Sequence, residues 1–137
     1  MKNKNLVNQY NLHKVALTTT FFGLLVSLCI MYNAGNSQKS IILIGLFTFW
    51  VASPFSGLLI INRISYKWST SLREALYWLM IILSIVSIVA YSGVLKLLNT
   101  KPAFIFLAVP FFSWLSIATY FLIAKSKINK SKDTKKD

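Results

Sequence analysis

The sequence predicts an all-α membrane protein, four transmembrane helices in an up-down bundle, and three observations carry that expectation. First, four apolar runs free of acidic and basic side chains cover most of the 137 residues: Val15 to Tyr32, Ile41 to Ile61, Ala75 to Leu95 and Ala103 to Ala124. Each is close to the roughly 20 residues that cross about 30 Å of hydrocarbon at about 1.5 Å per residue. Second, hydrophobic residues make up 55% of the chain and the mean hydropathy is +0.60, more apolar surface than a soluble domain of this size buries. Third, the net charge of +12 is distributed by segment. If the ends and alternate connections share a side, Lys2, Lys4, Lys14, Arg63, Lys67, Arg73, Lys125, Lys127, Lys130, Lys132, Lys135 and Lys136 fall together, against Lys39, Lys96 and Lys101 opposite. By the positive-inside rule, that bias of twelve to three places both termini in the cytoplasm. Topology thus accounts for a charge that in a soluble chain would point to nucleic acid, and no nucleic-acid partner is expected.

Along the chain, the first run resembles the apolar part of a signal peptide, but Tyr32-Asn33-Ala34 puts a bulky residue where cleavage needs a small one, so a retained helix is expected. Ahead of it, Leu6, Val7 and Tyr10 stand among asparagines, which predicts either a short interfacial helix or a terminus without fixed structure. Residues 33–40 form a short, turn-rich outer connection, so helices one and two should make a hairpin. The second outer connection offers Asn99 or Thr100 as a cap, with Pro102 in the first turn of helix four. The inner connection, Asn62 to Glu74, carries Ile64, Trp68 and Leu72 at four-residue spacing, which predicts a segment lying along the membrane surface. Arg63, Lys67, Trp68, Arg73 and Trp78 are its expected contacts with anionic lipid headgroups. The domain is expected to span residues 1–124, with 125–137 a disordered basic cytoplasmic tail.

Within the membrane, small and hydroxyl residues recur on single helix faces. Thr19, Gly23 and Ser27 do so on helix one, as do Ala52 with Ser56 and Ser53 with Gly57 on helix two. Ser84, Ser87 and Tyr91 share a face of helix three, and Ser113, Ser116 and Tyr120 one of helix four. Lipid gives helices no hydrophobic reason to associate, so close approach at small residues and interhelical hydrogen bonds must do it. Packing is the preferred reading of these residues; the sharper alternative is a polar path past Pro54, which removes one hydrogen bond from helix two and predicts a kink. Trp50 lies four residues before Pro54 and Trp114 four after Pro110.

The function classes are narrowed mainly by what the runs lack. Ionisable residues inside membrane helices mark proton relays and charged-substrate sites, and none stands in any of the four. Proton-coupled export resting on an embedded glutamate is therefore not expected. His13 is the sole histidine and Cys29 the sole cysteine, while the acids are Glu74, Asp133 and Asp137. From these no general acid–base pair, metal cluster or nucleophile can be assembled, and one cysteine gives no dithiol chemistry. The expectation is a non-enzymatic protein with no cofactor and no metal, seated in a bacterial cytoplasmic membrane. It would be an accessory, immunity or regulatory subunit in contact with another membrane protein or with itself. The alternative is a small oligomeric carrier or channel for a neutral or lipid-like substrate.

Overall fold

The computed structural model describes residues 2–36, 40–93 and 102–133. Among them every regular element is helical: α1 (Lys2–Ala34), α2 (Ile41–Ile64), a 3-10 turn (Ser65–Lys67), α3 (Thr70–Tyr91) and α4 (Pro102–Asp133). All four α-helices are long and apolar enough to cross a membrane, as the four runs predict.

The helix ends depart from expectation in four places, each with a local cause. Helix α1 is continuous from Lys2 through the whole first run, rather than an interfacial piece followed by a span. No glycine or proline interrupts residues 2–14, so nothing breaks the ladder. The inner connection is short and does not form one surface-lying face. Helix α2 runs on through Asn62 and Arg63 to Ile64, and Ser65 then turns the chain. Trp68 and Ser69 are extended (ψ 165° and 151°), which breaks the four-residue period across them. Ile64 is consequently exposed while Leu72 is buried.

Helix α3 stops at Tyr91 rather than Leu95. Ser92 closes it by donating its N–H to the Ile88 carbonyl, and Gly93 follows at φ 92°, a left-handed conformation open to glycine at little cost. Helix α4 continues past Ala124 to Asp133, so most of the segment expected to be disordered is helical. Here too no glycine or proline intervenes after Pro110. The predicted caps Asn99 and Thr100, along with Lys39, Lys96 and Lys101, lie outside the described residues.

Cross-helix contacts fix how the helices sit together. Gln9 Nε2 donates to the Thr70 carbonyl at 3.3 Å, and a Cβ at Gly23 would stand 3.0 Å from that of Ser84. Tyr120 donates to the Leu72 carbonyl at 2.6 Å, and Tyr91 stacks on Phe106 with centroids 4.9 Å apart. The first residues of α1 and the last of α4 therefore lie at the end that carries the α2–α3 connection. At 33 and 32 residues, α1 and α4 are about 50 Å long and exceed the hydrocarbon thickness by roughly 20 Å. Helix α3 is the most enclosed, with 44% of its apolar span buried against 22 to 28% for the others.

The interior has three levels. Near the connection, Ala16, Leu58, Leu76, Tyr77, Met80 and Ile117 form one apolar cluster; at the opposite end Met31, Val51, Ala90, Tyr91, Ile105 and Phe106 form another. Between them along the helices come Thr20, Gly23, Ser27, Pro54, Ser84, Ser87, Pro110 and Ser113, all buried.

Candidate functional site

The middle level gathers six of the singled-out residues: Gly23, Ser27, Pro54, Ser84, Ser87 and Ser113. At Gly23 the α1 and α3 backbones come so close that an added Cβ would meet Ser84 Cβ at 3.0 Å and Phe55 at 3.3 Å. The hydroxyls are mostly turned to their own helices. Ser84 donates to the Met80 carbonyl and Ser113 to that of Val109, both at 2.8 Å, while Thr20 donates to Ala16 at 2.7 Å. Ser27 Oγ is buried without a partner among the described residues. Where Pro54, Ser87 and Ser113 meet Phe55, Leu58 and Leu83, no space remains for a water molecule.

The other six lie elsewhere. Thr19 is half-buried and donates to Val15, and Ser116 likewise to Phe112. Gly57 receives the indole of Trp114, to which an added Cβ would come within 3.2 Å. Tyr91 belongs to the cluster far from the connection, and Tyr120 reaches the start of α3.

Ser53 takes part in an exchange between the two proline-bearing helices. Pro54 lacks the N–H that would reach the Trp50 carbonyl, and Ser53 Oγ donates to that carbonyl instead, at 2.9 Å. Trp114 of α4 then donates its indole N–H to Ser53 Oγ at 3.0 Å. In the reverse direction, Trp50 donates to the carbonyl of Leu107, three residues before Pro110, at 3.3 Å. Each proline helix thus has a carbonyl near its proline served with help from the other helix's tryptophan. Both tryptophan–proline spacings are visible in the sequence, but nothing local reveals that the indoles cross.

At the connection end, polar groups from three helices converge. His13 of α1 is 3.2 Å from Asn62 Nδ2 of α2 through its Nε2, and its ring lies 5.1 Å from that of Tyr77 in α3. Arg73 donates to the Tyr77 hydroxyl at 2.9 Å and lies over the same ring, 6.0 Å from its centroid. Arg73 is therefore only half-exposed and turned towards the bundle. Trp68 is also drawn inward, its ring 6.3 Å from those of Tyr120 and Phe121. Arg63, Lys67 and Trp78 remain exposed. Of the expected headgroup contacts, Trp68 and Arg73 thus face protein on at least one side.

Apolar grooves open at the opposite end. One holds about 300 Å³ among Met31, Ala34, Gly35, Leu43, Ile44, Phe47, Ala103 and Phe106. Among the described residues no three His, Cys, Asp or Glu side chains come together to hold a metal. Comparison of the chain with protein families, with curated proteins and with solved structures finds no match.

Proposed function

We propose that this multi-pass membrane protein is a non-enzymatic accessory, immunity or regulatory subunit that acts through helix–helix contacts within the bilayer. In this reading the helices cross in up-down order, with both termini on the cytoplasmic side of a bacterial cytoplasmic membrane and the lysines near anionic headgroups. The supporting observation is the middle level of the bundle: its hydroxyls are mostly bonded within their own helices, and the space beside Pro54 is closed even to water. Recognition then falls to the outward faces, where Phe21, Phe22 and Leu25 of α1 and Phe111, Phe112 and Leu115 of α4 are exposed. Aromatic side chains fit both lipid and a partner helix.

The experiment is purification from the native host in a mild detergent. A membrane protein recovered in fixed stoichiometry, and lost when Phe111 and Phe112 are changed to alanine, is the expected result; a lone monomer from native membranes would count heavily against it. The carrier alternative rests on the Ser, Thr and Tyr faces and the Pro54 position of α2, and requires self-association. Flux through vesicles that is insensitive to changes at Pro54, Ser87 and Tyr91 would remove it.

A further inference from the structure

At the connection end a half-buried cation, Arg73, has no counter-charge among the described residues. The only acids in the chain are Glu74, Asp133 and Asp137. Glu74 follows Arg73 but is exposed on the neighbouring helix face, and no ion pair joins the two. The hydrogen-bond partner of the Arg73 guanidinium is a neutral phenol, that of Tyr77, and its Nε is buried with no acceptor among the described residues. The His13 imidazole leans on the same Tyr77, and Asn62 adds a side-chain amide 3.2 Å from it. A partly desolvated guanidinium held only by a phenol hydroxyl and the face of its ring is less well compensated than one paired with an anion.

We propose that the junction of His13, Asn62, Arg73 and Tyr77 holds the phosphate of an anionic phospholipid from the leaflet at this end of the bundle. The depth is suitable: Arg73 lies in the first turns of α3, one turn below the extended Trp68–Ser69 link, with exposed Trp78 nearby on the helix. Planar guanidinium binds phosphate oxygens in pairs, and the Tyr77 hydroxyl keeps the group oriented. The site is specific to Arg73. Arg63 and Lys67 are exposed cations at the same end but have no comparable enclosure, and they attract anionic lipid only diffusely. This site is independent of the helix-contact reading and stands or falls without it.

The test uses the full chain in detergent micelles, titrated with dioleoyl phosphatidylglycerol or phosphatidylcholine and read by native mass spectrometry. Wild-type protein is expected to retain one phosphatidylglycerol at concentrations where phosphatidylcholine is lost. Arg73→Gln should weaken retention about tenfold or more, the loss of a charge-assisted pair. Tyr77→Phe, which keeps the cation, should weaken it a few-fold, and Arg63→Gln should leave it unchanged. Equal losses for Arg63→Gln and Arg73→Gln would overturn the site, as would equal retention of the two lipids. Inorganic phosphate displacing the lipid at equal concentration would overturn the lipid assignment. If Arg73→Gln fails to fold by circular dichroism, Tyr77→Phe carries the test, and undiminished retention in that variant would sink the proposal.

Discussion

Gly23 sets how near α1 and α3 approach, and two substitutions separate that role from simple helix propensity. Gly23→Val puts branched carbon against Ser84 Cβ, which an added Cβ would already meet at 3.0 Å with the Ser84 Cα at 3.4 Å. Backbone cannot yield as a flexible side chain can, so the helices must part. The expected loss is about 1 to 3 kcal/mol, typical of overpacking, measured by unfolding in mixed micelles. Gly45→Ala is the control, since nothing lies within 4 Å of its added Cβ; it should leave stability unchanged or raise it by up to about 1 kcal/mol. Ser27 gives the opposite case for a hydroxyl. Its Oγ is buried and has no partner among the described residues, so Ser27→Ala removes an unsatisfied polar atom and should be neutral or stabilising in the same assay. A clear destabilisation would mean that this hydroxyl has a partner in the bilayer. Gly23 and Ser27 were both legible from their four-residue spacing. What spacing does not supply is the neighbour, and the neighbour decides the sign of each substitution.

Between α2 and α4 the coupling runs through Ser53. Removing its hydroxyl leaves the Trp50 carbonyl without the donor that replaces the proline-deleted N–H, and leaves the Trp114 indole without its acceptor. Ser53→Ala should therefore cost about 1 to 2 kcal/mol, since interhelical hydrogen bonds in membranes are individually modest. Pro54→Ala restores an N–H in register with the Trp50 carbonyl. Placed on the Ser53→Ala background, it should recover part of that loss, while in the wild-type background the carbonyl already has a donor. A double-mutant cycle showing strict additivity would deny the exchange. The helices that carry these residues were readable from the apolar runs because lipid demands long uninterrupted spans. Their ends were not: the asparagine- and lysine-rich flanks of α1 and α4 look like solvated chain by composition. The usable signal was the lack of any glycine or proline to stop them. At the other end of α3 the apolar run reaches Leu95 in the sequence, but the helix ends at Tyr91, where Ser92 closes it and Gly93 takes a left-handed φ of 92°.

For the whole molecule, the arrangement of charge and the contacts between helix ends make one joint demand on the bilayer. The start of α1, the α2–α3 connection and the end of α4 lie together, as Gln9 with Thr70 and Tyr120 with Leu72 require. The same three regions hold ten of the fifteen basic residues, and Lys135 and Lys136 follow α4 in the sequence. The orientation proposed above, with that end facing the cytoplasm, satisfies both. Reporter fusions at Gly35 and Asn99 should thus both read as external, and a fusion after Asp137 as cytoplasmic. Cytoplasmic activity at either loop would overturn the orientation. Native Cys29 gives an independent depth marker without any fusion. It lies within the apolar span of α1 on an exposed face, so in intact vesicles that face meets acyl chains and a membrane-impermeant maleimide should not label it. A cysteine introduced at Ser126, on the part of α4 beyond the last apolar run, should label readily in inverted vesicles and poorly in right-side-out ones. Rapid labelling of Cys29 from water would place α1 outside the hydrocarbon and dismantle the four-span arrangement, whatever the reporters showed.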